Sequence, residues 1–245
     1  MIDDLRQAGS LKLLFPRSER LGMTAVILNT AGGLTGGDHF ELQADTGVGG
    51  QITLTTQAAE RAYCAAPGPM AQARTHLTIG AGGILHWLPQ ETLLYDGAAL
   101  SRRLQIDLAQ DGKLLAVEPV VFGRRAMGEQ VNALRFVDRI DLHRDGQLVF
   151  ADRTRMQLPQ ATPLQGIATA SNQGAMASFL YAAPDAVDQL DWIRAALPDS
   201  AGISQPQRGL IFGRLMASDS FELRRALIPL LERLGGADLP RTWKI

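Results

Sequence analysis

The chain has 245 residues, and its 24 Lys+Arg against 25 Asp+Glu leave a formal charge of −1. Hydrophobic residues make up 46%, enough for a full core and too many for whole-chain disorder. Without a basic excess, nucleic acid is excluded as an expected partner.

A single cysteine, Cys64, forms no internal disulfide, which fits a reducing compartment and a small buried hydrophobe. His39, His76, His86 and His143 fall into no HxxH or HxxxH spacing, and no CxxC occurs, so no zinc site can be written. Met1-Ile2-Asp3-Asp4-Leu5-Arg6 opens with acids, and no apolar run approaches the ~20 residues that cross a bilayer. A cytoplasmic protein without membrane partners is expected.

Taken in chain order, the first element is an apolar strand over Ala25–Leu28. It enters Asn29-Thr30-Ala31-Gly32-Gly33-Leu34-Thr35-Gly36-Gly37-Asp38, a loop with Gly32, Gly33, Gly36 and Gly37 close together. The loop lacks the lysine and hydroxyl of a Walker A sequence, and Asp38 stands where it would repel phosphate. It also lacks the glycine spacing of a dinucleotide fold. Close approach of two backbones is the simpler use of such a loop. A ligand-binding β-domain or small-molecule enzyme that holds an anion there is the alternative.

His39–Asp45, Gln51–Thr56 and Arg74–Ile79 follow as strands. The run Thr55-Thr56-Gln57-Ala58-Ala59-Glu60-Arg61 leads out of the second of these, with Glu60 read as a solvated acid or a metal or partner contact. Pro89 in Leu88-Pro89-Gln90-Glu91-Thr92 cannot donate to a ladder and marks an edge or corner, with Glu91 exposed. Leu100–Leu108 alternates over nine residues, spoiled only by Arg102 on the apolar face, whose stem is expected to reach a sheet rim. Glu118 lies inside the apolar run Leu114–Phe122 and must find a partner, such as Arg124 or Arg125, or face a cavity.

Gly47–Gly50, Gly80–Gly83, Asp96-Gly97, Asp111-Gly112 and Asp145-Gly146 separate these runs, as tight hairpin turns would. The expected class is mainly β: layered antiparallel sheets in one large domain over 1–245, with a few helices mostly in the C-terminal third. Residues 1–158 form the β-rich part. A break at Leu158–Pro163 leads to a mixed α/β part over 159–245. This second part holds a strand at Ala175–Ala183, a helix at Asp185–Leu197 and a strand at Gly209–Met216. A last helix starts near Ser218 or Asp219 and ends at Gly235-Gly236, bent or split at Pro229. No GxSxG, cysteine–histidine or paired-carboxylate pattern singles out a catalytic site.

The strings at 29–38, 54–60 and 87–92, with Tyr95-Asp96-Gly97-Ala98 and Leu239-Pro240-Arg241-Thr242-Trp243, closely resemble the urease accessory protein family UreD, called UreH in some bacteria. The resemblance covers nearly the whole chain. Family members carry another strand or two before the segment matching Leu5–Pro16, so it also implies a chain that is short at its start. It implies a β-rich maturation factor, not an enzyme. Such a protein binds urease apoprotein and, with UreF and the GTPase UreG, delivers nickel. No tightly bound cofactor is expected, only transient nickel. Asp38, Glu60, Glu91 and Glu118 are the candidates for its path, and Asn29, Thr55, Thr56, Gln57, Pro89, Gln90 and Gly97 are motif positions of structural use. Edge strands and near-zero net charge predict poor solubility without partners.

Overall fold

Alternation gives each strand one face for burial, and two layers turn those faces toward each other. The computed structural model describes residues 2–17, 22–124, 127–158 and 173–244. Successive strands change layers. β2 (Met23–Asn29), β4 (Gln51–Thr56), β7 (Ile84–Leu88) and β10 (Lys113–Phe122) lie in a first sheet. β3 (His39–Asp45), β6 (Ala71–Ile79), β9 (Ala98–Leu108) and β11 (Leu134–Arg144) lie in a second. Each coil of chain thus adds one strand to each layer, and neighbouring coils pair in parallel. Short β5 (Glu60–Ala62) and β8 (Thr92–Leu94) continue the first sheet beside β10.

Antiparallel strands finish both layers. β1 (Leu11–Leu14) flanks β2, and β12 (Gln147–Leu158) flanks β11. β13 (Ala175–Ala182), β14 (Ala201–Gln207) and β15 (Leu210–Ala217) extend the first sheet in the order β10-β13-β15-β14. β14 has no counterpart in the sequence reading. Its Pro206 is tolerated because β14 is an edge strand.

The mainly-β, layered class with helices in the last third holds. The strand direction does not: among the described residues, eight strand pairs are parallel and five antiparallel. The glycine runs explain the difference. Gly47–Gly50, Gly80–Gly83 and Asp111-Gly112 are corners that carry the chain from the second sheet to the first. They stack on one another: Gly49 N–H donates to Ala81 O at 2.8 Å, Ile84 N–H to Gly50 O and Lys113 N–H to Gly83 O, both at 2.9 Å. Hairpins and corners need the same backbone freedom, so glycine content does not separate them. Of the five turns, only Asp145-Gly146 joins an antiparallel pair.

Stacking leaves no room for side chains at some of these corners. A Cβ on Gly80 would lie 2.3 Å from Gly47 O, a backbone atom that cannot swing away. Gly80→Ala is expected to destabilise by about 2–3 kcal/mol in denaturant unfolding. Gly82→Ala meets nothing nearer than 4.0 Å and carries only the strain of its positive φ, about 1 kcal/mol.

Two helices cover the outer face of the first sheet. α1 (Ala186–Ala196) and α2 (Ser220–Gly235) press Ile193, Leu223, Leu227 and Leu231 onto Val117, Phe179 and Ile211. Asp219 caps α2 by accepting from Glu222 N–H, and Gly236 ends it with a φ of 63°. The helix is not split at Pro229: α2 runs as one element through it. Burial of Leu223, Leu227, Leu230, Leu231 and Leu234 outweighs the lost hydrogen bond. Cys64 is also corrected: it is exposed, beside Gly97. The Pro159–Pro163 part of the expected break lies outside the described residues.

Candidate functional site

Two strands of the first sheet are interrupted at one level. β4 stops at Thr56 and the chain resumes as β5 at Glu60; β7 stops at Leu88 and resumes as β8 at Thr92. β10 runs straight past both, pairing with β7 through Ala116 and with β8 from Val120. Pro89 supplies no N–H, so the ladder cannot continue there. The two breaks hold each other: Gln90 N–H donates to Thr56 Oγ1 at 2.8 Å and Glu60 N–H to Glu91 O at 2.9 Å. Strings more than thirty residues apart thus form one line of kinks.

The kinks open a cavity of about 100 Å³ between the sheets. Its polar lining includes Thr56, Glu60, Gln90, Thr92, Arg102 and Glu118, set among apolar Leu11, Ile27, Leu34 and Phe40. Gln90 is buried, and its Nε2 has no partner among the described residues. Glu118 accepts from Trp87 Nε1 at 2.7 Å and pairs with Arg102 Nη1 at 2.6 Å. Arg102 also grips Asp138 through Nε at 3.0 Å and Nη2 at 2.6 Å. Arg102 is therefore no rim residue; it is 8% exposed and sits between two carboxylates. Nor does Glu118 pair with Arg124, which binds Glu129, while Arg125 lies outside the described residues.

Two carboxyl groups share one guanidinium in the interior. Burial pushes the Glu118 carboxyl above its ordinary value, and the nearby Asp138 charge adds to this, with Arg102 pulling the other way. Burial lowers the Arg102 pKa, but Asp138 and Glu118 outweigh it and hold the guanidinium charged.

The polar row extends right across the sandwich. Glu118, Ser178 and Arg214 are register neighbours on β10, β13 and β15. Arg102, Asp138 and Thr154 are register neighbours on β9, β11 and β12. Arg214 crosses between layers to Asp152 at 2.6 Å and Thr154 at 3.1 Å. Leu104, Ile140 and Leu180 pack on one side of this row, Leu100, Phe136 and Met176 on the other.

Glu60 enters the cavity from β5. Asn29 Nδ2 donates to both its oxygens, at 3.0 and 3.1 Å, and Arg61 N–H donates to Oε1 at 3.0 Å. Burial raises its pKa despite these donors, so Glu60 is not the freely solvated acid expected. The other two candidates are elsewhere. Asp38 accepts from Thr35 N–H at 2.8 Å and closes the glycine loop on itself. Glu91 is buried, not exposed, because Arg224 of α2 holds both its oxygens, at 2.6 and 2.8 Å. Arg224 also donates to Gln90 Oε1.

Several of the remaining motif positions sit at close backbone approaches or turns. A Cβ on Gly33, at φ 158°, would lie 2.6 Å from Arg61 O, and one on Gly36 would lie 3.0 Å from Pro69 O. Gly32 (φ 78°), Gly37 (φ 88°) and Gly97 (φ 78°) need the left-handed region. Thr55 meets Thr242 at 3.0 Å, and Trp243 Nε1 donates to Leu88 O at 2.9 Å. The C-terminal string therefore braces the kinks from behind. Asp138, Trp87 and Arg224 were missed in the sequence; the signal for the first was Arg102 on an apolar face. Among the described residues, no group of three or more His, Cys, Asp or Glu could hold a metal ion.

Residues 1–244 match the family model described as UreD urease accessory protein. The chain belongs to the UreD family. The urease accessory protein UreD of Ruegeria pomeroyi is 47% identical over 244 residues, covering 100% of this chain and 95% of that protein. That of Roseobacter denitrificans is 46% identical over 244 residues, covering 100% and 89%. That of Rhizobium leguminosarum bv. viciae is 42% identical over 245 residues, covering 100% and 89%.

Proposed function

We propose that this chain is a non-catalytic maturation factor of the cytoplasm that binds urease apoprotein and, with UreF and the GTPase UreG, enables nickel insertion. One observation carries the reading: strings that resemble those of a urease accessory family meet at a cavity between the sheets, whose acids are Glu41, Glu60 and Glu118, and the two from those strings and from the apolar run of β10 are Glu60 and Glu118. Nickel is cargo here. Carboxylate oxygens hold it less tightly than imidazole or thiolate, which suits passage over storage. The proposed path keeps Glu60 and Glu118; Asp38 and Glu91 serve as scaffold. The anion-holding alternative loses support at the glycine loop, where the Asp38 carboxylate already takes the place an anion would occupy.

The test is activation of apo-urease by this chain with UreF, UreG, nickel, bicarbonate and GTP. Glu60→Gln and Glu118→Gln are expected to assemble and yield urease with several-fold less nickel; wild-type nickel content in both sinks the path. Glu118→Gln leaves Arg102 with one carboxylate, so the melting temperature is expected to hold or rise. The sign follows from its raised pKa. The native state binds the Glu118 proton more tightly than the unfolded chain, so its stability contribution is present below the ordinary carboxylate value. That contribution is lost as pH rises through the raised one. Glu118→Gln is therefore expected to flatten this fall.

A further inference from the structure

The helices cover the first sheet, and among the described residues none covers the outer face of the second. That face carries a row of like charge. Arg74 of β6 is the register partner of Arg103 on β9, Arg103 of Arg139 on β11, and Arg139 of Arg153 on β12. All four are exposed. Adjacent strands lie about 4.8 Å apart, so the row spans roughly 14 Å. Like charges placed directly opposite destabilise a sheet.

The neutralisation within the row is partial. Asp141 pairs with both Arg103 and Arg153. Glu41 lies opposite Arg74 at the end of the row. The Arg139 side chain makes no hydrogen bond or ion pair with any described residue. Arg155 lies on the next row, opposite Val137, and Arg135 on the row after that, in a chain whose net charge is only −1.

We propose that this row docks an acidic helix of a partner protein, laid across the strands. The spacing favours a helix: carboxylates at i, i+3 and i+4 stand about 5–6 Å apart, close to the spacing of the arginines below. Guanidinium forks suit carboxylates geometrically, and partner binding relieves the repulsion that the free sheet bears.

The full chain is titrated with a helical peptide carrying glutamates along one face, at low and at physiological salt. Arg74→Gln/Arg139→Gln is expected to weaken binding about tenfold and flatten its salt dependence. Glu41→Gln is expected to tighten it. Arg139→Gln alone is expected to raise the melting temperature by about 1–3 °C, as relief of like-charge opposition requires. Absence of peptide binding, undiminished binding by the double variant, or equal binding of mixed-sequence duplex DNA overturns the proposal. So does a fall in the melting temperature of Arg139→Gln with peptide affinity unchanged, which makes the row structural.

Discussion

Arg102→Met is expected to cost about 3–5 kcal/mol of stability at neutral pH, read from denaturant unfolding. The guanidinium holds Glu118 and Asp138 at 2.6 Å each inside the sandwich. Without it two buried carboxylates face each other with Trp87 and little else to compensate. Protonation is their one relief, so the variant should regain stability as pH falls, and the loss should be largest above the ordinary carboxylate range. Replacing all three, with Arg102→Met, Glu118→Leu and Asp138→Leu, is expected to recover most of the loss, because an apolar layer needs no charge balance. A triple variant as unstable as the single one would show that packing volume, not uncompensated charge, is the cause.

Trp243→Ala should have a comparable effect, about 3–5 kcal/mol, although only Lys244 and Ile245 follow it in the sequence. Its ring is 1% exposed within the core between α2 and the first sheet. Its Nε1 satisfies Leu88 O immediately before Pro89, and Arg224 lies 5.4 Å from the ring centre on its way to Glu91. Trp243→Phe keeps most of the apolar contact and is expected to lose only about 1 kcal/mol with the hydrogen bond. Limited proteolysis at the Pro89–Glu91 segment should rise in Trp243→Ala and stay near wild type in Trp243→Phe. Equal cleavage in all three would detach the C-terminal string from the kinks.

The strands were legible because each must bury one face, and Leu100–Leu108 wrote that in a period of two. Their direction was not, because a glycine corner between layers and a hairpin need the same backbone. Of the two outcomes expected at Pro229, the split fails for the opposite reason: the local cost was read correctly and a leucine face overrode it. At the site, Arg102 on an apolar face and Glu118 among valines were both visible as anomalies, yet neither named the other. Sixteen positions separate them along the chain, and only the stacking of the layers makes them partners. Glu91 looked exposed because Arg224, 133 residues later, cannot be assigned to it by spacing.

The charged row across the sandwich has a consequence for how the strands find their alignment. A slip of one residue turns the wrong face inward and is forbidden by burial alone. A slip of two residues keeps the right face inward, and in β10 it sets one apolar side chain where another of different size belonged. What it cannot do is leave the charges matched. Moving β10 by two residues in either direction puts Ala116 or Val120 against Arg102, and carries the Glu118 carboxylate into one of the apolar clusters beside the row while Arg102 stays on Asp138. The row therefore acts as a proofreading mark that adds to the fit of the apolar side chains on either side of it. Its removal in the triple variant should leave a chain that is stable but populates more than one alignment.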